Sequence, residues 1–102
     1  MNQVILRGKL TSEPRMSIRG DVHWDLTTEV DGEKLSVPVF WPGETAPAAE
    51  KDQEWSVIGK VRRRFTRATG GVTSITEVVA DEALNLDDKV RGLDAYGTVI
   101  DL

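Results

Sequence analysis

The chain has 102 residues, no cysteine, one histidine and a formal charge of −4, with 13 Lys and Arg against 17 Asp and Glu. That length supports one domain with a single modest core, burying about 65% of the surface the unfolded chain exposes. The composition excludes disulfides, thiolate metal sites and cysteine nucleophiles, and the lone His23 excludes any histidine pair for a metal centre.

The periodicity along the chain is two. "NQVILRGKL" sets Val4, Leu6, Gly8 and Leu10 against Ile5, Arg7 and Lys9, which is strand spacing. "DVHWDLTTEV" sets Val22, Trp24, Leu26, Thr28 and Val30 against His23, Asp25, Thr27 and Glu29. Asp31-Gly32 follows, the strongest short hairpin signal. The return strand carries Leu35, Val37, Val39 and Trp41 on one face and Lys34, Ser36, Pro38 and Phe40 on the other. "WPGETAPAAEKDQ" then breaks the pattern at Pro42, Gly43 and Pro47 and allows no more than one helical turn. Alternation resumes from Trp55 through Val57, Gly59 and Val61. Gly70-Gly71 turns the chain, and "VTSITEVVADEALNL" makes a fifth strand.

Five strands with one interruption between the third and fourth predict an all-β, five-stranded antiparallel barrel, small and closed or half-closed, with no more than about one helical turn at that interruption. Closure removes sheet edges, a hazard for strands this apolar. Gly8 and Gly59 sit inside strands, where a bend needs no side chain. The expected domain is 1–86, with 87–102 as a tail of weak strand character near "GTVIDL".

The cations are unevenly placed. "GKVRRRFTRATGG" gathers Lys60, Arg62, Arg63, Arg64 and Arg67, five of the 13, around Phe65. If the fourth strand runs on past Val61, it leaves the barrel as one arm of a basic hairpin with both faces in solvent. Guanidinium groups form bidentate contacts with phosphate. An aromatic among cations suits single-strand binding, in which the cations follow the backbone and the ring stacks a base. The plainer alternative pairs these arginines with the acids of "DLTTEVDGE". Trp24 and Trp55 share a face with core aliphatics and are expected inside. Phe40 lies on the opposite face from Val37 and Val39 and is a candidate stacking ring. Trp41 suits either role. His23 reads as a surface strand residue, and Asp81-Glu82 and Asp87-Asp88 as solvated charge.

Three stretches carry a resemblance. "MNQVILRGKLTSEP", "GKVRRR" and "TEVVADEALNL" resemble, in order and spacing, the bacterial single-stranded DNA-binding protein family. The resemblance implies an oligonucleotide/oligosaccharide-binding (OB) fold, with the family's helix between strands three and four much reduced here to "PGETAPAAEKDQ", weak sequence preference and a homodimer or homotetramer. It also implies work in DNA replication, recombination or repair, with replication or repair proteins as partners. The family's aromatic at the start of the third strand falls near Lys34 or Leu35 and is missing here. The one ending that strand is matched by Phe40, or by Trp41 with a one-residue shift, and the hairpin aromatic falls at Thr66 beside Phe65. The Gly/Pro/Gln-rich linker and the acidic tip ending in Phe are absent.

The expected function is therefore non-catalytic binding of single-stranded DNA. Lys60, Arg62, Arg64 and Arg67 would hold phosphates, and Phe40, Phe65 and Trp41 are the candidate stacking rings. Arg7 and Lys9 either extend the groove or line a subunit contact. The alternative is an interaction module, a primosome-like accessory or scaffold with weak nucleic-acid binding; the missing aromatic and the net acidity favour it. No enzyme is expected, because no nucleophile–base pair or metal set is present, and no cofactor is implied. No apolar run nears the roughly 18 residues of a membrane-spanning helix and no signal peptide is evident. The expected location is the bacterial cytoplasm, at the nucleoid, with no membrane partner.

Overall fold

The computed structural model describes residues 2–87; the expected tail beyond Asp87, and any part it plays in assembly, lies outside the described residues. The alternating segments become strands: β1 Val4–Leu10, β2 Arg15–Met16, β3 Val22–Val30, β4 Glu33–Trp41, β5 Glu54–Ala68 and β6 Gly71–Asn85. They pair in the order β1-β5-β6-β4-β3-β2, and a further β1–β3 pairing closes five of them into a barrel. Two features depart from expectation. The barrel is closed by one parallel pairing, Val39↔Val78 and Phe40↔Val79 between β4 and β6, so it is not wholly antiparallel. The two-residue β2 pairs with β3 through Arg15↔His23 and Met16↔Val22, and its brevity hides it from periodicity.

The inward faces of β1, β3, β4, β5 and β6 meet in one core of Leu10, Val22, Trp24, Leu26, Val39, Trp41, Trp55, Val57, Val78 and Ala80. Trp24 lies at its centre, with ring centroids 5.1 Å from Trp41 and 5.0 Å from Trp55 in tilted contact. Such pairs contribute about 0.5–1.5 kcal/mol beyond the area they bury. Trp55 Nε1 also donates to Gln53 Oε1 at 3.3 Å. Trp24 and Trp55 are thus in the core, as their neighbours' faces implied.

Gly8 and Gly59 occupy positions where two strands approach closely. A Cβ on Gly59 would overlap the carbonyl of Val79, and one on Gly8 the carbonyl of Thr27. Beside Gly59 the β5–β6 register shifts: Ile58 faces Glu82 while Gly59 faces Ala80, so Asp81 is extra. A bulge of this kind bends and twists its strand, and here it sits just below the point where β5 and β6 leave the barrel.

The reduced helix expected between the third and fourth long strands is absent. Residues 42–53 form an irregular loop instead, with left-handed residues at Glu44 (φ 58°) and Asp52 (φ 76°). The loop is fastened at its far end by Leu10 N donating to Gln53 O (2.9 Å) and Asp52 N to Leu10 O (2.8 Å). Ala46 and Ala49 pack against the core, covering the barrel end a helix would otherwise close. Pro42 and Pro47 give the physical reason, since proline removes a donor that a helix of this length cannot spare.

Candidate nucleic-acid interface

The β3–β4 turn sets the first part of the site. Asp31 (φ 51°) and Gly32 (φ 82°) both adopt left-handed backbone, the two-residue turn that suits strand twist. It pairs Val30 with Glu33 and, further down the ladder, His23 with Phe40. Because Val39 and Trp41 point inward, Phe40 points outward and is half-buried. Its ring meets His23 edge-on, with centroids 5.2 Å apart and planes at 65°.

The β5–β6 hairpin sets the second part. Ala68 pairs with Gly71, so the chain turns at Thr69-Gly70, one residue before the predicted Gly70-Gly71. This register places Arg62 opposite Glu77 and Arg64 opposite Ile75. Arg62 Nε donates to Glu77 Oε2 at 3.0 Å, its Nη2 donates to the same oxygen, and Arg64 Nε lies 3.4 Å from it. The Arg62 guanidinium carbon stands 4.7 Å from the Phe40 ring centroid. At that distance a cation is attracted to the face of the ring. Arg62 and Arg64 therefore do pair with an acid, but with Glu77 on β6 and not with the 25–33 stretch.

His23, Phe40, Arg62 and Arg64 line one wall of an open groove of about 420 Å³, and the loop of residues 17–21 forms the other. That loop is shaped by Ser17 N donating to Asp21 O (2.8 Å) and Gly20 N to Ser17 O (3.0 Å). Asp21 Oδ1 also accepts from Gly43 N at 2.7 Å, tying the loop to the end of β4. The loop brings exposed Arg19 and fully exposed Ile18 to the groove's rim. The groove thus offers three guanidiniums, one aromatic stack and an imidazole, against the carboxylate of Asp21 in its lining and that of Glu77 buried against Arg62 and Arg64.

The predicted site residues divide into four sets. Phe40, Arg62 and Arg64 meet in the groove, and Lys60 is exposed on the same face of β5. Phe65 and Arg67 lie on the opposite face of the ribbon, since they alternate with Arg62 and Arg64; Phe65 is 66% exposed and shares its face with Arg63. Trp41 is 2% exposed and packs in the core, so it offers no ring to a ligand. Arg7 and Lys9 are on β1, which contributes no lining residue to the groove. Arg7 Nε lies 3.3 Å from Glu54 Oε2, and Lys9 sits beside Thr27, Glu29 and Lys34. His23, which the sequence reads only as a surface strand residue, lines the groove, as does Arg19; neither Arg19 nor Glu77 is singled out by the sequence. No cluster of His, Asp and Glu suited to a metal ion occurs among the described residues.

No family model matches the chain. Large ribosomal subunit protein uL4 from two strains of Halobacterium salinarum is 35% identical over 85 residues, covering 81% of this chain and 33% of theirs. The chain thus spans about a third of the length of the curated relatives it matches. Among solved structures, a Plasmodium falciparum SSB in complex with ssDNA superimposes with a TM-score of 0.74 at 17% identity, over 85% of this chain and 96% of that one. The mitochondrial single-stranded DNA binding protein Rim1 from S. cerevisiae gives a TM-score of 0.64 at 13% identity, over 82% and 93%. The fold is therefore an OB-fold of the kind these proteins share.

Proposed function

We propose that this protein binds single-stranded nucleic acid, DNA by preference, without catalysis and with little sequence selectivity. The observation that carries the reading is that cations and an aromatic ring from separate strands converge on one open groove at the base of a cationic ribbon. A strand in the groove would stack bases against the Arg62–Phe40 pair, and its phosphates would meet the guanidiniums of the groove and ribbon. The remaining surface can stay acidic, because only one side of the barrel meets the polyanion. The solved neighbour in complex with ssDNA supports the same side of the argument.

The test is competition among an oligo-dT, an oligo-rU and a duplex of equal length for a labelled oligo-dT. Oligo-dT is expected to displace the label best. The rU arm is included because the sequence relatives are ribosomal proteins. Displacement by duplex as good as by oligo-dT would sink the single-strand reading.

Membership of the bacterial single-stranded DNA-binding family, a nucleoid setting and a part in replication, recombination or repair belong to this proposal. So does a homo-oligomer. Ile5 (72% exposed) pairs with Ile58 on the outer barrel face, and Leu84 (49% exposed) pairs with Ser56 beside it. A second copy would cover this apolar patch, and a monomer in light scattering at micromolar concentration would remove the claim. The interaction-module reading draws its support from two acids, Asp21 in the groove lining and Glu77 buried against Arg62 and Arg64, which lessen the groove's pull on phosphate.

A further inference from the structure

Among the described residues, Glu77 is the one charged side chain that is fully buried, at 1% exposure. It stands on the outer wall at the level where the ribbon joins the barrel, next in sequence to the closing residue Val78. A carboxylate removed from water is costly unless it is paired and hydrogen-bonded. Glu77 meets that requirement with two cations, accepting from Arg62 and lying 3.4 Å from Arg64 Nε. The two arginine side chains are 42% and 39% exposed, so the charge Glu77 leaves uncompensated faces the groove.

We infer that Glu77 is the charge-setting and positioning residue of the groove, resting on the reading that the groove binds a single strand. It holds Arg62 over Phe40, and it reduces two arginines to one net positive charge. The first effect makes the guanidinium plane the outermost stacking surface. A base then rests on Arg62, and Arg62 rests on Phe40. The second effect makes the salt response follow the net charge of the three residues and not the number of arginines. Each net cation offered to a single-stranded backbone contributes about −0.7 to the slope of log K against log[salt].

The experiment is fluorescence anisotropy of a labelled oligo-dT with the intact protein across a salt series. Glu77→Gln removes the charge while keeping the shape and an acceptor for Arg62. Its slope should steepen by about 0.7, so at about 0.1 M salt it should bind roughly fivefold tighter relative to wild type than at 1 M. The double variant Glu77→Gln with Arg64→Gln restores the original net charge and should return to the wild-type slope. It also carries the test by itself if the single variant fails to melt as a folded protein. An unchanged or flatter slope for Glu77→Gln overturns the inference. A double variant flatter than wild type by about 0.7 does so too, because Arg64 would then have been contributing its full charge. If the wild type does not bind oligo-dT at any salt concentration, the single-strand reading falls first and this inference with it.

Discussion

The two halves of β5 belong to one ladder yet obey different rules. Below the bulge, β5 has β1 on one side and β6 on the other, and its inward residues Trp55 and Val57 are 3% and 0% exposed. Above it, from Arg63↔Thr76 to Ala68↔Gly71, β6 is its only strand neighbour among the described residues. An isolated two-stranded ribbon is marginally stable at best in water, and among the described residues no element packs behind its tip, where Phe65 and Val72 are 66% and 64% exposed. The lower half is thus chosen for packing and the upper half for what it meets. An acidic protein can in this way carry a cationic element without disturbing its core.

The contrast is broken most severely at the centre of the barrel. Trp24→Ala removes the ring shared by Trp41 and Trp55, and a core truncation of this size should cost about 3–5 kcal/mol in a urea titration. A loss below about 1 kcal/mol would mean that the three-tryptophan cluster does not organise the core. Gly59→Ala is next. Its Cβ would enter the Val79 carbonyl, and forcing the strands apart should cost about 1–3 kcal/mol in the same assay.

The upper half should respond in binding alone. Changing Arg63 and Arg67 together to Ala should leave stability within about 0.5 kcal/mol of wild type. It should flatten the salt slope for oligo-dT by about 1.4, because neither arginine has an ion-pair partner among the described residues. An altered melt with an unchanged slope would reverse the division of labour between the two halves.

The smallest effect is at the seam of β2 and β3. Asp25 Oδ2 accepts from Arg15 Nη1 at 2.7 Å and from Ser12 Oγ at 3.0 Å. The Arg15 hydrogen bond holds the Asp25 carboxyl below its ordinary range, against burial, with Ser12 adding to the effect. A folded value below the unfolded one means that this stability is present above about pH 4 and is lost as pH falls through the folded value. The contribution of such a partly exposed pair is at most about 1 kcal/mol. Acid should therefore lower the melting temperature of wild type slightly more than that of Arg15→Ala, and equal acid sensitivity would show that the pair contributes nothing.

Much of this was legible in the sequence because it is local. Alternation places Trp24 and Trp55 inside and Phe40 outside, and Asp31-Gly32 forms the turn its residues favour. Counting down from that turn already puts His23 opposite Phe40, so the imidazole was within reach of a register argument. The basic hairpin shows how much depends on one residue. A turn at Gly70-Gly71 would pair Arg64 with Glu77, whereas the observed turn at Thr69-Gly70 pairs Arg62 with it. Either register sets an arginine against that acid; the burial of the pair comes from the fold. The same alternation, applied to the ribbon, separates Phe65 and Arg67 from Arg62 and Arg64, which proximity in sequence obscures. The parallel closure of β4 on β6 and the loop of residues 17–21 that walls the groove are non-local, and no short-range pattern encodes them.

The most direct measurement is a salt series of oligo-dT binding by the wild-type protein, read by anisotropy of a labelled oligonucleotide. The label is needed because all three tryptophans are buried, between 1% and 3% exposed, and do not face the groove. Lys60, Arg63, Arg67 and the one net charge of the Arg62–Arg64–Glu77 group offer about four cations, giving a slope of roughly −3. Affinity should then fall about fiftyfold between about 50 and 200 mM salt, with oligo-dT held more tightly than duplex throughout. An absence of binding at low salt, or binding that is indifferent to salt, would contradict the account.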